Sequence, residues 1–112
     1  MIDNQKILFK FIQINDNVNW TDISYNYNLS LNFIREFKNK VDWYCISIIQ
    51  KLSENFIREF QNKIYWDCIS SCQTLSEPFI REFQNKLKWS HILVYQELSE
   101  NIIQEFNHKL ND

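Results

Sequence analysis

Residues 52–74 have the sequence LSENFIREFQNKIYWDCISSCQT, and this string determines how the whole chain is organised. The same pattern recurs as LSLNFIREFKNKVDWYCISIIQK over 29–51 and as LSEPFIREFQNKLKWSHILVYQE over 75–97. A degenerate copy opens the chain at about 6–28, and a truncated copy, LSENIIQEFNHKLND, closes it over 98–112. Self-similarity at one fixed period is the signature of a repeat protein, so the chain is predicted to be one repeat domain.

The first half of each repeat is predicted to form a short helix, here called helix B. Ser53 suits the N-cap position, and Glu54 in the first turn favours the positive end of the helix dipole. The apolar side chains of this segment share one narrow stripe of the helical wheel: Phe56, Ile57, Phe60 and Ile64. Glu59 precedes Lys63 by four residues, a spacing that predicts an ion pair on the exposed side of the same helix.

The second half of each repeat is predicted to form another helix, helix A, which starts at the tryptophan. Trp66 and Ile69 are out of phase with the stripe of helix B, so the chain must break between the two segments. Helices this short are unstable alone and must pack against neighbouring repeats. The fold class is therefore predicted to be all-α, with the single domain over 1–112 forming a short right-packed solenoid. It contains paired short helices in about four and a half repeats of 23 residues.

The amino-acid composition favours helices and indicates the cellular environment of the protein. The 112 residues include no Gly and one Pro, although β-turns and bulges usually need Gly. Three cysteines are an odd number in a chain large enough to fold without disulfides, which predicts a reducing, cytoplasmic environment. The N-terminal apolar patch is interrupted by Lys10 and Gln13, so we expect neither a signal peptide nor a membrane partner.

The pattern LSExFIREFQNK, followed by Trp and by Ile-Ser, resembles the tryptophan-repeat proteins of giant DNA viruses that infect amoebae, of the Mimivirus and Megavirus kind. The resemblance extends from about residue 6 to residue 112. It implies a viral protein made in the host cytoplasm with an interaction role, but the family offers no established activity to carry over. The sequence departs from the pattern at Leu93, where Ser is expected, and in the weak first repeat.

Catalysis is not expected from this sequence, and no cofactor is implied. There are two histidines, no Gly-rich loop, and acidic residues that mostly repeat with the 23-residue period. Cys45, Cys68 and His91 share one position of the repeat, and Cys72 follows one turn after Cys68. Adjacent repeats stand roughly 8–10 Å apart, whereas zinc needs ligands at about 2.0–2.3 Å. The thiols are therefore interpreted as packing residues, and no metal site is predicted.

The candidate partner-binding residues lie on the side of helix A that changes from repeat to repeat. Repeat proteins typically keep scaffold positions constant and vary those that meet a ligand. The residues chosen supply aromatic, aliphatic and small polar contacts: Tyr25, Tyr44, Ile48, Ser71, Val94 and Tyr95. They predict a non-enzymatic scaffold that presents the variable face of the tryptophan-containing helices to a host or viral protein.

The sequence also allows two other functions, a charged-ligand site on the repeated arginines and self-association through the ends of the array. Arg35, Arg58 and Arg81 lie opposite the apolar stripe of helix B and could form a basic row for nucleic acid or another charged ligand. The net charge of −2 and the glutamates beside the arginines argue against nucleic acid. Local pairing of Glu54 with Arg58 and of Glu77 with Arg81 would make the row merely structural. A third interpretation is a structural module that self-associates through its ends.

Overall fold

A computed structural model describes residues 5–110 of the chain. The described residues form ten α-helices and no sheet, which confirms the all-α prediction. The helices are α1 (Gln5–Ile14), α2 (Trp20–Asn26), α3 (Leu31–Glu36), α4 (Trp43–Ile49), α5 (Glu54–Glu59), α6 (Trp66–Cys72), α7 (Glu77–Glu82), α8 (Trp89–Tyr95), α9 (Glu100–Glu105) and α10 (Asn107–Leu110).

The helices alternate between two layers of an elongated array that measures 54 × 21 × 20 Å. The A helices, α2, α4, α6 and α8, pack directly against one another along its length. The B helices, α3, α5, α7 and α9, form the second layer. The paired helices recur about every 23 residues, as the repeat predicts for a solenoid.

Helix B begins as predicted but ends one turn early. The Ser53 hydroxyl accepts from the Phe56 N–H at 3.1 Å and so caps α5. The helix ends at Glu59 because Phe60 adopts φ −110° and ψ 28°, and the chain then makes a separate turn. The Phe60 carbonyl accepts from the Ile64 N–H at 3.1 Å within that turn. Lys63 consequently lies outside the helix, and the predicted Glu59–Lys63 pairing gives way to a bond between Glu59 and Arg35.

Helix A begins at the tryptophan, as predicted. Asp42 caps α4 by accepting from the N–H groups of Tyr44 and Cys45. Tyr65 and Lys88 hold the same position in later repeats and make no side-chain cap, because neither is an N-capping residue type. Another bond fixes the start of α4, α6 and α8, since the N–H of the residue before the tryptophan donates to a serine hydroxyl of the preceding repeat. The three such bonds are Asp42 to Ser24, Tyr65 to Ser47 and Lys88 to Ser70, at 2.9–3.0 Å.

One continuous apolar core lies between the two layers. Its fully buried members include Ile69 of α6 and Phe79 of α7. Trp66 lies at the edge of this core, half-buried, with its ring centroid 5.0 Å from that of Phe83 in the next repeat. Its indole N–H donates to the Gln61 carbonyl at 3.1 Å. Trp43, Trp66 and Trp89 therefore each brace their own turn and the following repeat, and each remains partly exposed.

A glutamine joins each of the three full repeats to the one before it, and Gln50 and Gln73 are buried. The Gln73 side chain accepts from the Leu52 N–H at 3.1 Å and donates to the carbonyls of Ser47 and Gln50 at 3.0 and 2.8 Å. Gln50 and Gln96 make the same three bonds one repeat earlier and one repeat later. The boundary between two successive repeats is called a seam below. Backbone N–H and carbonyl groups at each seam are thus hydrogen-bonded by a glutamine side chain 21–26 residues later in the sequence.

Candidate protein-binding face

Four of the predicted binding residues occupy one position of the repeat and form a row along the A layer. They are Tyr25, Ile48, Ser71 and Val94, each the sixth residue of its A helix. Tyr25 and Val94 are exposed, Val94 at 69% of its surface, while Ile48 and Ser71 are half-buried. Residues that differ in size and chemistry therefore stand in register on a single surface. With Tyr44 and Tyr95 they make up what is called the helix A face below.

Tyr44 and Tyr95 lie at opposite ends of their helices. Tyr44 is the second residue of α4, and its ring meets that of Tyr65 edge-to-face at 5.4 Å between centroids. Tyr95 is the last residue of α8, with its ring 6.1 Å from the imidazole of His91. Tyr65 was not among the predicted residues because its position elsewhere holds a helix cap. Its exposure beside Tyr44 adds an aromatic pair to this surface.

Clefts at the C-terminal ends of the A helices are lined by three members of the helix A face, Ile48, Ser71 and Tyr95. One cleft of about 410 Å³ is lined by Ile48, Cys72 and Thr74, among others. The next, of about 610 Å³, is lined by Ser71, Cys72 and Tyr95. The structure thus brings Ile48 close to one cleft and joins Ser71 and Tyr95 at the other. Tyr44 is not in the lining of either cleft and extends the face toward the N-terminal ends of the helices.

The arginines of the alternative site are already bound between repeats. Arg58 donates from Nε to both carboxylate oxygens of Glu82 in the next repeat, at 2.9 and 3.0 Å. Its guanidinium also stands over the Phe79 ring, 5.3 Å from the centroid. The same ion pairs recur one repeat either side: Arg35 with Glu59 and Arg81 with Glu105. The predicted outward-pointing row is therefore a set of half-exposed links whose charge is matched by glutamate.

These contacts shift the titration of the groups that make them. The bond from Arg58 lowers the pKa of the Glu82 carboxyl, and the bond to Glu82 raises the pKa of the Arg58 guanidinium. Glu77 accepts from the N–H and hydroxyl of Ser99, and these bonds lower the pKa of its carboxyl. The predicted local pair is present only for Glu77 and Arg81, at 4.0 Å, and it is longer than the bonds between repeats.

The three cysteines differ in burial, from the core to the surface. Cys45 is buried, and burial, then the nearby Asp42 carboxylate, raises the pKa of its thiol. Burial likewise raises the pKa of Cys68, while Cys72 is exposed. His91 Nδ1 lies 3.0 Å from the Asp67 carbonyl oxygen. Between residues 5 and 110, no three His, Cys, Asp or Glu side chains come together in a way that could hold a metal ion.

Comparison with known proteins adds no relative. No protein-family model, no curated protein and no solved structure matches this chain. The longest helix in the described part of the chain, α1, has ten residues, and none of its helices is long and apolar enough to cross a membrane.

Proposed function

We propose that the chain is a non-enzymatic protein-binding repeat scaffold whose helix A face receives a protein partner. One observation supports this proposal above the others. The seams use the same residue types in successive repeats, Trp, Ile, Ser and Gln, whereas the row of Tyr25, Ile48, Ser71 and Val94 changes in every repeat. Variation at positions that the seams do not need is the usual mark of a ligand-binding surface in repeat proteins.

The chemistry of the face suits a protein rather than a polyanion. Tyrosine and aliphatic side chains are the groups that anchor protein interfaces, because they bury much area with few rotatable bonds. Tyr44 packed on Tyr65 is held in place before any partner arrives, which lowers the entropic cost of binding. The clefts beside Ile48 and Tyr95 offer places for a partner's own side chains.

The charged-ligand alternative is weakened by the geometry of the arginines. A phosphate would have to displace a carboxylate that Arg58 already holds through both oxygens. The chain also carries a net charge of −2, which gives no general attraction to nucleic acid. The setting proposed for the scaffold, a viral protein in host cytoplasm, rests on the resemblance of its repeat to the tryptophan-repeat proteins.

A photo-crosslinking experiment tests the binding face. A benzophenone amino acid replaces Ile48 in one preparation and the exposed Asn62 of the uniform helix B side in another. Each protein is irradiated in lysate of infected amoebae, and the crosslinked partners are identified by mass spectrometry. We expect one discrete partner from position 48 and none from position 62.

Affinity measurements with the captured partner complete the test. Tyr44→Ala combined with Ile48→Ala should weaken binding by about tenfold or more, as loss of interface anchors does. The matched control, Asn39→Ala with Asn62→Ala, changes two exposed residues outside the helix A face and should bind normally. Strong binding by the first variant, together with binding that collapses at moderate salt, would instead favour a charged ligand on the arginine row.

A further inference from the structure

The C-terminal end of the array exposes positions that are covered in the three preceding repeats. Ile103 of α9 is 37% exposed, whereas the isoleucines at the same position of the three preceding repeats are fully buried. Those isoleucines are Ile34, Ile57 and Ile80. Leu93 of α8 is 47% exposed and stands where earlier repeats have a fully buried serine. An apolar surface that each repeat normally offers to its successor is thus open to solvent here.

The polar groups of this end also point toward a successor. Glu54 and Glu77 each accept from the N–H and hydroxyl of the serine that caps the next helix B, Ser76 and Ser99. Glu100 occupies the same position in the last repeat and is exposed. Leu93, Leu98, Glu100 and Ile103 are called the C-terminal end face.

The N-terminal end of the array presents a second apolar stripe, on α1. Ile7, Phe11 and Ile14 are all exposed, Phe11 at 49% and Ile14 at 81%. At about 100° per residue these three lie within roughly 60° of one another on the helix. The other side of α1 packs into the core, with the Phe9 ring against those of Phe33 and Phe37. The stripe is called the N-terminal end face.

Charged residues of opposite sign lie beside the two end faces. Lys6 and Lys10 lie along one side of the stripe on α1, a helix that contains no acidic residue. Glu97 and Glu100 are exposed at the other end of the array, beside Leu98. We propose that the C-terminal end face of one copy binds the N-terminal end face of a second copy, with apolar residues meeting at the centre and these charges pairing at the rim. A second copy fits better than an unrelated partner because the complementary face is on the same chain.

The size of the ends sets the strength of this contact. A cross-section of 21 × 20 Å gives each end roughly 400 Å², well below the share of a stable interface of standard size. The association is therefore weak, and it requires high protein concentration and low salt. The contact joins two different surfaces, so nothing closes it after one step, and copies add head-to-tail into linear chains.

Sedimentation velocity over about 10 μM to 1 mM tests the proposal. At low salt the wild-type mass should rise above the 13.8 kDa of one chain as concentration increases. Lys6→Glu with Lys10→Glu should associate at least about tenfold more weakly, and so should Glu97→Lys with Glu100→Lys. An equimolar mixture of the two variants should associate again, because each acidic end then meets a basic one. Circular dichroism confirms that both variants remain helical.

Two outcomes would overturn the proposal. Wild-type protein that stays at 13.8 kDa throughout shows that the ends do not bind. Variants that stay separate even when mixed show that charge pairing between the ends is not what joins the copies. The Tyr44→Ala, Ile48→Ala variant should assemble like wild type because neither residue belongs to an end face. The end-face proposal and the partner-binding proposal can therefore fail independently.

Discussion

Arg58 and Glu82 are 24 residues apart in sequence and form a forked ion pair, with Arg58 Nη2 at 2.8 Å from Glu82 Oε1. The pair links helix B of one repeat to helix B of the next. With the guanidinium standing over Phe79, it places a charged group on the rim of the core at each seam. The arginines and glutamates that recur with the 23-residue period thus link neighbouring repeats.

Acid should weaken the bond between Arg58 and Glu82 and so lower the stability of the fold. Glu82→Gln should make the stability depend less on pH in the acid range. The pKa of Glu82 is lowered in the folded chain, so the carboxylate stabilises the fold above the ordinary pKa of about 4.5. That stabilisation is lost as pH falls from there through the lower folded pKa. Thermal melts between about pH 3 and 6 should therefore show a shallower acid decline for Glu82→Gln than for wild type.

Glu36→Gln is the matched control for that measurement. Glu36 holds the same position of the repeat as Glu82, but Ile12 stands where the partner arginine would be. Its acid decline should follow wild type. Identical curves for all three proteins would show that the Arg58–Glu82 bond does not contribute to stability in solution.

Gln73→Ala should lower the free energy of unfolding by about 2–4 kcal/mol, because it leaves three buried backbone groups without partners. Those groups are the N–H of Leu52 and the carbonyls of Ser47 and Gln50. Urea unfolding followed by circular dichroism measures the change. Gln104→Ala, at an exposed glutamine of α9, should shift it by no more than about 0.5 kcal/mol. Equal effects of the two substitutions would mean that the glutamine seam does not stabilise the array.

Trp66→Ala should cost about 3 kcal/mol, the lower end for truncating a large aromatic side chain, since one edge of the ring is in solvent. Trp66→Phe keeps most ring contact with Phe83 but leaves the Gln61 carbonyl without its donor, and should cost about 1 kcal/mol. The same unfolding assay ranks the variants. Tyr65→Ala changes the exposed neighbouring residue and should lower the free energy of unfolding less than either tryptophan substitution does. A Trp66→Ala protein as stable as wild type would contradict the packing described here.

The three thiols should react with iodoacetamide in a fixed order at neutral pH. Cys72 is exposed and should be modified first. Cys68 should follow slowly, and Cys45 only after unfolding, because burial raises the pKa of both thiols and the thiolate is the reactive form. Intact-mass spectrometry against time counts the adducts. Cys72→Ser should remove the fast phase, and rapid double labelling of that variant would contradict the assigned burial.

Local signals in the sequence were sufficient to predict where the A and B helices begin. Ser53 caps α5 as predicted, and each tryptophan starts a helix. The end of helix B was placed too late because Phe60 and Ile64 continue the helical period. Burial of these side chains is compatible with a turn as well as with a helix, so periodicity alone could not separate them.

Contacts between repeats were harder to predict. The pairing of Arg58 with Glu82 depends on how far one repeat is displaced from the next, which no single helical wheel contains. Gln73 recurs in the sequence as Gln50 and Gln96, but two of its three backbone partners, Ser47 and Gln50, belong to the preceding repeat. For the candidate site, the variable positions were readable by aligning the repeats. The aromatic pair of Tyr44 and Tyr65 was not, because it joins two different positions of the repeat.

Gln73 bonds to backbone groups that precede it in the sequence by 21–26 residues, and this has a consequence for synthesis. A chain that leaves the ribosome N-terminus first cannot complete the backbone around Leu52 until Gln73 has emerged. Folding should therefore follow translation one repeat at a time, with only the newest repeat open. Copying a 23-residue unit within the gene would preserve the register of every bond, so such arrays can grow or shrink without redesign.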